Sequence, residues 1–274
     1  MRLRIDLSYD GGAFHGWAAQ PGLRTVEDEL GTALTTVLRL PSVSLVCAGR
    51  TDTGVHARGQ VVHVDLDEAV LDAARGRDTG SSPTDALRRR LNGLLRPDLR
   101  VRRVVAAPHG FDARISPLRR RYAYRICDGI PDPMERGHVL AWPRRLDADA
   151  MNQASSTLVG LHDFAAFCKR REGATTVRTL LDLSWERDGD LLTGRVRADA
   201  FCHHMVRSLV GSLVAVGEGR RPATWPAEVL VAGARDAGLL VVPAHGLTLE
   251  EVAYPPDDEL GLRAGLARAR REPR

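Results

Sequence analysis

The chain predicts an α+β protein with helices packed on a mostly antiparallel sheet. Three observations lead there. Strand-like alternation recurs along the chain, runs of helical periodicity fall between the strands, and no phosphate-binding fingerprint accompanies them. "DGGAFHG" follows a strand pattern but is not GxGxxG, and there is no P-loop lysine. The order strand, helix, strand, helix, strand over the first hundred or so residues is echoed after a loop-rich segment, without a sequence repeat. This places a first domain at 1–107 and a second at 108–274.

Residues 2–9, RLRIDLSY, alternate and read as a strand, followed by the Gly-rich loop "DGGAFHGWAAQPGLRT". Val26, Leu30, Leu34 and Leu38 then recur at helical spacing, with Thr25 as N-cap and Asp28 three residues on. In "CAGRTDTGVHARGQVVHVD" the alternation from Gly59 points Val61, His63 and Asp65 one way and Val62 and Val64 the other, a strand with one well-buried face. The polar knot before it, Arg50 to Gly54, reads first as a turn between strands, with an aimed charge pair, Arg50 with Asp52, as the alternative. "RDTGSSPTD" reads as a flexible excursion, "DALRRRLNGLL" as a helix and "DLRVRRVVAAP" as a strand. "HGFDARISPLRR" is a linker. After it come a strand in "RRYAYRICDG", a helix over 147–158, strands over 180–186 and 191–198, a helix in "HHMVRSLVGSLVAVGEG", another in "PAEVLVAGAR" and a closing strand, "LTLEEVAY".

At 274 residues, 43% hydrophobic and 27% charged, the chain has the composition of a soluble globular protein. No apolar run is long enough to span a bilayer, and the N-terminus runs straight into a strand pattern, so neither membrane association nor a signal peptide is expected. The four cysteines lack CxxC spacing. That indicates neither a disulfide framework nor a zinc ribbon, and a reducing cytoplasm fits best. The net charge is only +4, but the positive charge is almost all arginine, Lys169 being the only lysine. It clusters at 88–90, 119–121, 169–171, 220–221 and the C-terminus. Arginine's fork suits phosphate, so the clusters suggest a polyanion partner, with solvated arginine-rich faces as the alternative.

Several constellations could carry chemistry. His203 and His204 beside Cys202 invite a metal, but adjacent helical residues point about a hundred degrees apart and no HExxH supports them. Arg207 lies beside the apolar stripe of Val206, Leu209, Val210 and Leu213, where an arginine needs a carboxylate partner, and Asp52 is a candidate. Tyr122 and Tyr124 alternate on one strand face behind three arginines. They make either a base-stacking platform with phosphate contacts at its edge or core filler. Asp112 and Arg114, and His162, Asp163 and Phe164, are further candidates. Asp163 could form a two-carboxylate hydrolase site with Asp52, though the spacing is unspecific. No GxSxG elbow is present.

Taken together these segments are more specific than any one of them. "GRTDTGVHARGQVVHV", "RRRYAYRI" and "FCHHMVRSLVG" resemble the aspartate, tyrosine and arginine motifs of the tRNA pseudouridine synthase A family. "YDGGAFHGWAAQP", "GFDARISP" and "AHGLTLEEVAY" resemble its N-terminal loop, interdomain segment and C-terminal strand. The six blocks run in family order over nearly the whole chain. The resemblance implies two RRM-like (ferredoxin-like) α/β halves with a merged, mostly antiparallel sheet beneath a basic cleft. It implies isomerisation of uridine to pseudouridine at positions 38, 39 and 40 of the tRNA anticodon arm, by a homodimer without metal or cofactor. By matching position, Asp52 would be the nucleophile, Arg207 its ion-pair partner and Arg50 the residue that helps displace the base. Tyr122 would stack on the flipped uracil and Leu247 would line the pocket. Two departures stand out: Ala18 where family members often have Gln, and a longer segment over 67–85, which reads as an inert surface insertion or a tRNA contact.

Overall fold

Strand β1 (Arg2–Tyr9) shows the alternation at full strength: Leu3, Ile5, Leu7 and Tyr9 are buried while the residues between them are half-exposed. The structure, a computed structural model, describes residues 1–76, 80–169, 173, 175–261 and 263. The described residues divide into two compact units, 1–118 with 249–261 and 263, and Arg119–Thr248.

In the first unit β1 leads to α1 (Val26–Leu38), where the Thr25 side chain accepts from the Asp28 N–H as the capping pattern predicts. A short β2 (Val46–Cys47) precedes β3 (His56–Asp65), which begins three residues before the predicted Gly59. The expectation of one buried face is corrected here: every residue from Gln60 to Val64 is buried. Strand β3 is an interior strand, and the His63 ring meets Phe111, which covers the face left open in the sequence pattern. Next come α2 (Glu68–Ala73), which had no periodic signal of its own, α3 (Pro83–Leu94), capped by Ser82 and packed against α1, and β4 (Leu99–Ala106). Part of the predicted excursion, 77–79, lies outside the described residues.

The second unit runs β5 (Arg119–Cys127), β6 (Leu140–Ala141), α4 (Ala148–Ser156), β7 (Gly160–Asp163), β8 (Val177–Asp188), β9 (Leu191–Ala198), α5 (Met205–Gly217) and α6 (Trp225–Ala232). Its sheet order is β5-β9-β8-β7, antiparallel throughout, with β6 parallel on β5. Helices α4 and α5 pack together, and α4 packs on β8. The final strand, β10 (Leu247–Ala253), passes from the second unit into the first, where the strand order is β4-β1-β3-β10. Each unit is thus α+β on a mostly antiparallel sheet. Among the described residues no helix is long and apolar enough to cross a membrane.

Candidate active site

The polar knot is the tight turn that its Asp, Thr and Gly residues suggested. Val55 N–H donates to the Asp52 carbonyl at 3.1 Å, and Gly54 adopts φ +79°, which closes a tight turn over Asp52–Val55. Asp52 is half-buried on this turn, Arg50 is exposed before it, and Thr51 between them is buried. The Thr51 hydroxyl lies 2.8 Å from the Tyr9 hydroxyl, and its carbonyl accepts from the Trp17 N–H at 3.0 Å. Gln60 Nε2 donates to Tyr9 and, at 2.7 Å, to the Gly49 carbonyl. Tyr9, Phe14 and Trp17 form a buried aromatic floor under the loop, and burial pushes the Tyr9 phenol well above its ordinary pKa.

The Gly-rich segment after β1 is packed directly on this loop. A Cβ at Gly11 would sit 2.0 Å from the Val55 carbonyl oxygen, so the approach needs glycine. The Gly11 N–H donates to His56 Nδ1 at 2.9 Å, and the Gly54 N–H donates to the Phe14 carbonyl. Asp52 therefore stands on a loop held from both sides by backbone and from below by hydroxyls. Cys47, just upstream, is buried. Burial, with Glu27 adding to it, pushes its thiol up to about 12, so it is no nucleophile.

In the second unit Tyr122 and Tyr124 do share a face of β5, but they are not a two-ring platform. Tyr124 is fully buried and its hydroxyl donates to the Pro243 carbonyl at 2.7 Å. Tyr122 meets Phe201 edge-on, ring centroids 5.1 Å apart. Arg120 also departs from the expected phosphate edge: it is buried and donates to the Asp199 carbonyl at 2.6 Å. Arg207, in the first turn of α5, is half-buried. Its Nε donates to the Val242 carbonyl at 2.7 Å, and the Val242 N–H returns a bond to the Arg207 carbonyl. These bonds, with that of Tyr124, hold the segment leading to Leu247, which is buried at the start of β10.

The histidine pair needs correction. Helix α5 begins at Met205, so His203 and His204 precede it, and His204 is its N-cap at φ +69°. Their rings lie 4.1 Å apart, so the argument from helical angles does not apply to them. Asp112 and Asp163 serve locally: Asp112 accepts from the Arg114 and Ile115 N–H groups, and Asp163 from the Ala165 N–H and the Thr176 hydroxyl. Cys168 and Cys202, for which spacing indicated no pairing, form a disulfide across 34 residues. Of the arginine clusters, Arg90 donates to the Ala74 carbonyl, Arg220 pairs with Glu218 and Arg221 covers the Trp225 ring. Arg170 and Arg171 lie outside the described residues, as does most of the C-terminal cluster. Tyr9 and Phe201 escaped sequence reasoning, because nothing local distinguishes a hydroxyl that braces Thr51 or a ring that braces Tyr122 from core filler.

A family model described as tRNA pseudouridine synthase matches residues 154–255. The chain is 56% identical over 276 residues to the tRNA pseudouridine synthase A of Frankia casuarinae, covering 100% of this chain and 96% of that one. It is 57% identical to that of Streptomyces griseus (98% and 93% covered) and 52% to that of Mycobacterium leprae (98% and 94%). The chain belongs to the tRNA pseudouridine synthase A family. Members of the tRNA pseudouridine synthase A family thus match it well beyond 154–255, through the Asp52 turn and the Tyr122 strand as well as the Arg207 helix.

Proposed function

We propose that this tRNA pseudouridine synthase isomerises uridine to pseudouridine at positions 38, 39 and 40 of the tRNA anticodon arm, with Asp52 as the carboxylate that starts the reaction. The observation that carries this reading is the presentation of Asp52, half-exposed on a turn whose neighbours are bonded to a buried floor. A reactive group gains from being held on an immobile loop beside a strand. The reaction breaks the bond from C1′ of the ribose to N1 of uracil, joins C1′ to C5, releases the C5 hydrogen as a proton and places a proton on the freed N1. Substrate and product have one composition, so no electrons enter or leave and no cofactor is called for. A carboxylate can begin it by attack on the base or the sugar, or by taking a sugar proton.

In the same reading Arg207 is the ion-pair partner of Asp52, and the exposed Arg50 enters the stack to displace the base. Tyr122, held by Phe201, is the ring on which the flipped uracil stacks, and Leu247 lines its pocket. Flipping a base costs a few kcal/mol, and a fixed ring offsets part of it. The family resemblance further supports RRM-like halves and a basic cleft, which a cytoplasmic homodimer presents to the L-shaped tRNA.

Tritium release from tRNA labelled at uridine C5 tests the reaction, and carbodiimide sequencing of the product locates it. The wild-type chain releases tritium. Asp52→Asn releases none but keeps tRNA affinity within about a few-fold, since phosphate contacts supply most of the binding. Binding or strand cleavage without release overturns the reading. Release by Asp52→Asn at the wild-type rate removes Asp52 from its role.

A further inference from the structure

Two classes of cysteine occur in this chain. Cys47 and Cys127 are free and buried. Cys168 and Cys202 are paired, with Cα atoms 5.8 Å apart, inside the range a disulfide spans without moving the backbone. Cys168 follows the short helical turn Ala165–Phe167, and Cys202 lies between β9 and α5. The Lys169 N–H also donates to the His203 carbonyl at 2.8 Å, so the two loops are joined twice. Phe201, the neighbour of Cys202, stands edge-on to Tyr122, and Arg207 lies one turn further on. Cys202 is half-exposed while Cys168 is buried, so Cys202 is the sulfur that a small reagent reaches first.

We propose that Cys168 and Cys202 are a reversible thiol–disulfide modification site whose state sets how firmly Phe201 is held against Tyr122. The oxidant is a low-molecular-weight disulfide. The Cys202 thiolate attacks one of its sulfurs and expels the first thiolate, and Cys168 then attacks the Cys202 sulfur and expels the second. Two electrons and two protons pass from the protein to the oxidant, and an excess of dithiol reverses both steps. The consequence for isomerisation rests on the role given to Tyr122 above.

The test compares the full chain equilibrated with oxidised glutathione or with dithiothreitol. Non-reducing peptide mass spectrometry is expected to find 168 linked to 202 only in the oxidised sample. The oxidised form is expected to unfold several degrees higher, because the bond closes a long loop. Single-turnover tritium release is expected to be about two- to ten-fold faster in it, the worth of an aromatic pair. A Cys168→Ser, Cys202→Ser double variant responds to neither reagent. Free thiols under oxidised glutathione, or equal wild-type rates in the two forms, overturn the proposal. If no form releases tritium, the functional reading has failed, while the linked peptide and the midpoint shift still decide whether the site is modified.

Discussion

The Tyr9 hydroxyl lies 2.8 Å from the Thr51 hydroxyl, one residue before Asp52, and both residues are buried. A strand end and a loop more than forty residues away are thereby fastened together beside the Asp52 turn. Tyr9→Phe keeps the ring in the floor and strands the Thr51 hydroxyl, at a cost of about 1–3 kcal/mol. The expected result is a several-fold fall in kcat with KM little changed, since the loop shifts while the RNA-binding surface does not. Steady-state kinetics and urea unfolding check both parts.

Gly11 and Gly31 make a contrasting pair. A methyl at Gly11 meets the Val55 carbonyl, whereas one at Gly31, within α1, meets nothing within 4 Å. Gly11→Ala is expected to lower both stability and tritium release. Gly31→Ala is expected to raise stability by up to about 1 kcal/mol, the helix-propensity gain, with activity unchanged. Thermal midpoints of the two variants should move in opposite directions.

Asp128 has a fully buried carboxylate that accepts from Arg145, Arg187 and the Leu146 N–H at 2.8–3.0 Å. Burial alone would raise its pKa, but the Arg187 fork, the Leu146 N–H and Arg145 outweigh it and hold the carboxyl below the ordinary range. Asp128→Asn is expected to cost about 3 kcal/mol, the low end for a broken buried pair because Arg145 is half in water. With a folded pKa below the unfolded one, the stabilisation is present above the unfolded value and is lost as pH falls through the folded one. Wild type should therefore lose its advantage over Asp128→Asn below about pH 4 in unfolding midpoints.

His63 is buried on β3, and its Nδ1 accepts from the Ala113 N–H at 3.0 Å. Burial, and then the nearby Arg2, hold its pKa below the ordinary histidine value. The unfolded chain therefore binds the proton more tightly, and stability declines as pH drops below about 6.5. His63→Asn keeps an acceptor for Ala113 and cannot titrate. The wild-type midpoint should fall more steeply than the variant's between about pH 7.5 and 5.5.

Local pattern alone determined much of this protein. The alternation of β1, the Thr25 cap of α1 and the run of β9 follow from neighbours a few residues apart, and the structure places each where the sequence does. The aspartate, tyrosine and arginine motifs were legible for the same reason, since each is a short contiguous string. What covers a second face is not local. Strand β3 alternates like a half-exposed strand, yet it lies inside a sheet, and Phe111 closes over His63 from far along the chain. The same limit hid the roles of Tyr9 and Phe201, the burial of Arg120 and the pairing of Cys168 with Cys202. Each depends on a partner dozens of residues away, which side-chain periodicity cannot encode and only the closed fold supplies.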